Sequence, residues 1–287
     1  MKELSRGSNM KSVFLITISD HKRIKESTRV FLYEVGKLFK TREVGVDLLS
    51  KNSEDIGAAY NLSLANFVIG GKLSLGELGC LLSHQLVYKA IVDEGIDWAI
   101  VIEDDAEILT DTNTLIKMSD QWFRNGHEFV HLAPYLGGVL VAEGDDQSGV
   151  AIVPPLGAYA YWISAQGAFK LQTQNEVIGG LADWPIQISN VKTRSVFVPV
   201  FYSGVENSLI KNMQTASAPS RISLAYRPLA EIFTPSNARI LKKAISIYGF
   251  RAVGNFIFGY RIYKRFGRLL GQTSKGQNNT HFFLSRK

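Results

Sequence analysis

The chain has 287 residues, 46% hydrophobic and 20% charged, which suits a soluble globular enzyme with one large or two small domains. Its single cysteine, Cys80, excludes an intramolecular disulfide and any multi-cysteine zinc site, and fits a reducing compartment. The net charge of +6 is split: from Arg239 onward there are eleven Lys or Arg and no Asp or Glu, leaving 21 basic against 26 acidic residues before it, so an anionic partner is expected for the tail.

The opening run VFLITI is short and meets charge at once, so Val13 to Ile18 is expected to be a first strand and not a signal segment. No stretch reaches the roughly 18 apolar residues of a membrane span. A helix-compatible segment follows from Lys25 to Phe39, then a second strand from Val44 to Leu49 and a polar loop from Ser50 to Gly71. Ser74-x-x-Glu77 is a capping box that opens a helix to about Glu94, and Gly95 stands where it should stop. Trp98 to Ile102 is an apolar strand running into Glu103-Asp104-Asp105. A helix from Asn113 to Arg124 and a strand from Phe129 to Leu132 come next. Val139 to Val153 has hairpin character, with Gly144-Asp145-Asp146 at its turn. Ala158 to Ile163 is a strand whose following helix is capped by Ser164, and Val196 to Phe201 is the last strand. Strands alternating with helices predict an α/β sandwich around a mainly parallel sheet. Ser203 to Ser236 is polar and loop-like.

Three adjacent carboxylates after a strand repel one another, and one would have to take up a proton unless a cation lies among them. Oxygen ligands suit a hard ion such as Mg²⁺ or Mn²⁺, and ligands of open α/β sheets collect at the carboxyl ends of strands. A solvated acidic turn is the plainer alternative.

The segments "LSLGELGCLLSH" (Leu73 to His84), "WAIVIEDDA" (Trp98 to Ala106), "PLGAYAYWISAQGAFKL" (Pro155 to Leu171) and "LADWP" (Leu181 to Pro185) together resemble glycosyltransferase family 25, the bacterial lipopolysaccharide and lipooligosaccharide enzymes. "ITISDHKR" (Ile16 to Arg23) is a looser match. The resemblance spans about residues 12 to 202. It implies a GT-A type, Rossmann-like mixed sheet flanked by helices, a UDP-sugar donor, galactose by family habit, and inversion at the anomeric carbon. It also places Glu103-Asp104-Asp105 where other GT-A enzymes carry Asp-x-Asp. Glu103 and Asp105 have the outer spacing of metal ligands, and Asp104 is left to orient the ribose or the sugar.

An inverting transfer needs a base on the face away from the leaving diphosphate. Asp183 is the leading candidate, beside Trp184, which could stack on a sugar. Its structural alternative is a helix cap before Pro185. Glu206 and Asp145 are weaker candidates. On the donor side stand Arg23, Glu77, Ser83 and His84, each with a plainer reading: surface arginine, cap, close helix packing and structural hydrogen bond. Gly76, Gly79 and Ser83 share one helix face, open to a close neighbour. Cys80, among leucines, reads as a small core residue.

In the tail, Arg261, Lys264, Arg265 and Arg268 line one helical face, and Ile262, Phe266, Leu269 and Leu270 another. That pattern fits a helix lying on anionic lipid over residues 239–270, with a lipid-linked oligosaccharide acceptor at the same surface. An ordinary packed helix is the alternative, and nothing points to nucleic acid. The expected organisation is a catalytic domain over residues 1–237 and a basic helical extension over 238–287, cytoplasmic and peripheral on the inner membrane face. Two other functions remain at this point: Mg²⁺-dependent phosphoryl or nucleotidyl transfer, and a catalytically silent membrane-surface binding protein.

Overall fold

The computed structural model describes residues 10–18, 23–48, 65–67, 73–133, 139–142, 148–153, 158–172, 182, 188, 190–196, 198–203, 234–250, 253–254 and 282–284. Its elements run β1 (Lys11–Ile16), α1 (Glu26–Val35), β2 (Lys40–Val44), α2 (Leu75–Asp93), β3 (Trp98–Glu103), β4 (Ala106–Ile108), α3 (Thr112–Arg124), β5 (Phe129–His131), β6 (Val139–Ala142), β7 (Ser148–Val153), β8 (Ala160–Ser164), α4 (Ala165–Leu171), β9 (Thr193–Val196), β10 (Phe201–Ser203), α5 (Pro235–Tyr248) and β11 (Phe282–Leu284).

Among the described residues, nine strands form one sheet in the order β11-β6-β7-β9-β5-β8-β3-β1-β2, and β10 pairs with β4 in a separate ribbon. The α/β class and flanking helices are as expected, but the sheet is not mainly parallel. Among the described residues, β1–β2, β1–β3, β5–β9 and β6–β11 are parallel pairs. The pairs β3–β8, β5–β8, β6–β7 and β7–β9 are antiparallel. The reversal comes from β8 entering between β3 and β5, and from the β6–β7 hairpin, whose expected turn at residues 144–146 lies outside the described residues.

The strand period of two divides the side chains between two cores. Val13, Trp98, Ile100, Ile102, Ala160 and Trp162 pack on one face with Phe31 and Val35 of α1 and Leu115, Met118 and Trp122 of α3. Phe14, Ile16, Ala99, Val101, Tyr161 and Ile163 pack on the other with Val87, Tyr88 and Ile91 of α2 and Ala168 and Leu171 of α4. Trp98, Trp122 and Trp162 are fully buried, each worth roughly 1.5–3 kcal/mol or more of apolar transfer.

Local signals place α2 well. Ser74 accepts from the Glu77 amide while Glu77 accepts from the Ser74 amide, so the capping box is complete. At the other end the Gly95 amide donates to Val92 and the Ile96 amide to Ile91, with Gly95 at φ +67°, a conformation that glycine adopts without strain. Ala165–Leu171 is likewise capped by Ser164, whose hydroxyl accepts from the Gly167 amide.

Two expected strands are corrected. The second strand lies at Lys40–Val44 and not at residues 44–49, because β2 is the sheet's edge and an edge strand can stay polar. The expected strand Val196 to Phe201 is two: β9 ends in the main sheet at Val196, and β10 begins at Phe201 in the ribbon with β4. The short β4, directly after the acidic cluster, carried no signal long enough to be seen. The basic region begins as a helix, with Thr234 capping α5 through the Asn237 amide at 3.4 Å, and Leu241 and Ala244 are buried in the core shared with α2. The expected lipid-facing residues from Arg261 to Leu270 lie outside the described residues. Among the described residues no helix is long and apolar enough to cross a membrane.

Candidate functional site

The acidic cluster sits where β1 and β3 both end. In the parallel register Ile16 lies beside Glu103, the Glu103 amide donates to the Tyr159 carbonyl at 2.7 Å, and the Asp104 amide donates to the Ile16 carbonyl at 3.0 Å. The chain then turns into β4, so three successive carboxylates leave the strand in different directions.

Glu103 keeps the strand parity of Ala99 and Val101 and therefore meets α2. His84 Nε2 lies 3.1 Å from its Oε1, and the Cys80 thiol donates to the same oxygen at 3.6 Å. On its other side His84 Nδ1 is 2.7 Å from the Tyr161 hydroxyl, which is itself hydrogen-bonded to Tyr88. Burial pushes both tyrosine hydroxyls well up, so both keep their protons. His84 is buried and packs 5.5 Å, centroid to centroid, from the Tyr161 ring.

Asp104 faces β1 and its loop. Thr17 donates to its Oδ2 at 3.1 Å, and Arg23 pairs with its Oδ1 at 3.0 Å. The same guanidinium reaches Asp105 Oδ2 at 3.6 Å. Asp105 is 7% exposed, and its Oδ1 is buried with no hydrogen-bond partner. Burial, with the charges of Glu103 and Asp104, lifts its carboxyl to about 7 against the pull of Arg23. An orphaned, buried carboxylate oxygen in an acidic group is a free ligand position, and its oxygen chemistry fits a hard divalent cation. Asp105 would supply the ligand, with Asp104 and Glu103 nearest to it in the chain.

The sequence candidates fall into three groups. Arg23, Glu103, Asp104, Asp105 and His84 come together around the ends of β1 and β3. Ser83 and Glu77 make hydrogen bonds within the scaffold. Ser83, fully buried, donates to the Gly79 carbonyl and accepts from the Val46 amide at 2.9 Å. Gly79 lets that backbone approach: a Cβ there would lie 2.7 Å from the Val46 carbonyl, so the close neighbour foreseen for this helix face is protein backbone. Glu77 closes the capping box. Asp183, Asp145 and Glu206 lie outside the described residues. Sequence reasoning did not pick out Thr17, or Cys80 and Tyr161 as neighbours of the cluster. Two signals were available: strand parity from Trp98 puts Glu103 on the helix face, and the spacing of four puts Cys80, His84 and Tyr88 on one stripe of α2.

Residues 13–136 match the sequence model of glycosyltransferase family 25 (LPS biosynthesis protein). Procollagen galactosyltransferase 1-B of Xenopus laevis is 27% identical over 182 residues, 59% of this chain and 29% of that protein, so the chain spans under a third of this relative's length. Among solved structures, A197 from STIV aligns over 67% of this chain and 83% of its own, with 9% identity and a TM-score of 0.39. A glycosyltransferase involved in the glycosylation of the major capsid of PBCV-1 aligns over 56% of this chain and 62% of its own, with 8% identity and a TM-score of 0.31. The matched segment begins in β1, contains α2 and the whole acidic turn, and ends just past β5, so the likeness to glycosyltransferase family 25 lies over residues 13–136.

Proposed function

We propose that the chain is a metal-dependent, inverting glycosyltransferase of GT-A type. It moves a hexose, galactose in our reading, from a UDP-sugar to a lipooligosaccharide or lipopolysaccharide acceptor. The observation that carries this is Asp105: a buried carboxylate oxygen without a partner, inside the segment that matches family 25, at the carboxyl ends of two parallel strands.

Mn²⁺ or Mg²⁺, when bound, neutralises charge building on the departing diphosphate. The chain's own residues set up the rest. Thr17 and Arg23 fix Asp104, so its position is held before donor arrives. Arg23 adds a guanidinium beside the carboxylates, able to pair with phosphate oxygens. His84 and Cys80 hold Glu103 by one oxygen, Oε1, against α2. The base that takes the acceptor hydroxyl proton is assigned to Asp183, on the resemblance of its segment. Asp183→Asn is expected to keep donor binding and lose transfer, and near-normal turnover would reject that assignment.

The functional test is release of UDP from a panel of UDP-hexoses with and without Mn²⁺. Metal-dependent release supports the reading. Cleavage of nucleoside triphosphates instead, or no turnover with any donor, rejects it. The acceptor side rests on the basic tail, which we assign to anionic lipid at the inner face of the cytoplasmic membrane. Sedimentation with anionic liposomes is expected to be lost in a chain ending at Asn237, and unchanged sedimentation would remove this part.

A further inference from the structure

Beside the acidic turn, three side chains of different chemistry converge. Cys80 Sγ, His84 Nε2 and Glu103 Oε1 lie within 4.8 Å of one another. The thiol is 3.6 Å and the imidazole nitrogen 3.1 Å from the same carboxylate oxygen. Zinc holds sulfur at about 2.3 Å and nitrogen or oxygen at about 2.0–2.2 Å, so tetrahedral ligand atoms stand roughly 3.3–3.6 Å apart. Both separations from Glu103 Oε1 already have nearly that spacing, and the sulfur and nitrogen stand no more than 4.8 Å apart. We propose that Cys80, His84 and Glu103 form a second metal site, selective for Zn²⁺ and similar borderline-soft ions, distinct from the hard-ion position at Asp105.

The backbone makes the site. Cys80 and His84 are one helical turn apart on α2, and Glu103 comes from the end of β3 with the parity that faces that helix. His84 is also oriented as a ligand should be. Its Nδ1 is 2.7 Å from the Tyr161 hydroxyl, which is itself hydrogen-bonded to Tyr88. With Nδ1 held by this outer partner, Nε2 faces Glu103 Oε1, the arrangement in which an outer partner fixes a metal-binding histidine. A bound cation would take the place of the 3.1 Å contact between Nε2 and Glu103 Oε1, with both atoms turned to it as ligands.

Glu103 and Cys80 are half-buried while His84 is buried, so the site opens on one side and leaves a fourth position for water. Binding releases the Cys80 thiol proton to solvent and draws Glu103 Oε1 into the coordination shell. Thiolate and imidazole favour zinc over Mg²⁺ and Mn²⁺, so the site is read by a different ion from the one at Asp105. It also shares Glu103 with the acidic cluster, which couples the two positions.

The test uses the metal-stripped full chain and Co²⁺ as the probe. One equivalent of Co²⁺ is expected to give a thiolate-to-cobalt charge-transfer band and tetrahedral visible bands, all bleached by stoichiometric Zn²⁺ and unaffected by excess Mg²⁺. Cys80→Ser and Glu103→Gln keep side-chain size and avoid the buried His84. With unchanged circular dichroism, Cys80→Ser should lose the charge-transfer band, and each variant should weaken zinc binding by about tenfold or more. No thiolate band in the wild-type chain, or zinc affinity unchanged in Cys80→Ser, overturns the proposal. UDP release is measured separately with Mn²⁺ alone, so failure of this site and failure of the transferase reading give different results.

Discussion

Glu103 and Asp105 are two residues apart and carry the same charge, yet they live in opposite surroundings. Glu103 Oε1 has an imidazole and a thiol against it. Asp105 has one long contact to Arg23 and one oxygen with no partner. The first belongs to a pre-built network with α2. The second is held ready but incomplete, and a native chain keeps a buried, unsatisfied carboxylate oxygen only where something else completes it. Charge pattern alone treats the three acidic residues alike, whereas packing separates them.

The sharpest way to break that comparison is to neutralise each carboxyl in turn. Asp105→Asn is expected to lower Mn²⁺-dependent UDP release by on the order of a hundredfold or more, as loss of a group aimed at developing charge does. Glu103→Gln should cost about tenfold, because the amide oxygen can still accept from His84 or Cys80. Rates measured at saturating Mn²⁺ decide it: equal losses, or a larger loss at Glu103, would show that the two environments do not divide the work.

The asymmetry also predicts a pH dependence. The carboxyl of Asp105 titrates at about 7 in the folded chain against 3.8 for the free group. Between those values the folded state binds the proton more tightly, so the metal-free protein loses stability from this group as pH rises from about 4 to about 7. Mn²⁺ must displace the same proton. Its affinity should therefore climb by up to about tenfold per pH unit below 7 and level off above it. Calorimetric titration across that range should show the rise in the wild-type chain and not in Asp105→Asn. A flat wild-type profile would mean that Asp105 is already ionised without metal.

Much of this was legible in the chain. The capping box at Ser74 and Glu77 and the stop at Gly95 fix α2 by local hydrogen bonding alone, and local signals survive without tertiary context. The apolar run Trp98 to Ile102 could only be a central strand, and its end located the acidic cluster. What failed depended on neighbours. Lys40–Val44 is polar because it lies at an edge, a property of sheet order that no window of sequence contains. Ser83 looked like a ligand contact and holds the Val46 amide instead, a partner 37 residues away. Cys80 looked like plain core, and only the meeting of α2 with the end of β3 gives it a carboxylate to face.

The smallest predicted effect separates scaffold from chemistry on the Glu103 side. Tyr161 is fully buried between His84 and Tyr88, and Tyr161→Phe removes one hydroxyl without opening a cavity. Two polar groups lose a partner, which should cost about 1–3 kcal/mol and lower Tm by a few degrees in a chain of this size. Freed from its outer partner, His84 can also turn from Glu103. Metal-dependent UDP release should then fall only a few-fold, far less than in Asp105→Asn. A stability loss with unchanged release would make the Tyr88–Tyr161–His84 chain pure packing. A drop as deep as that of Asp105→Asn would move the catalytic weight from the orphaned carboxylate to the helix beside it.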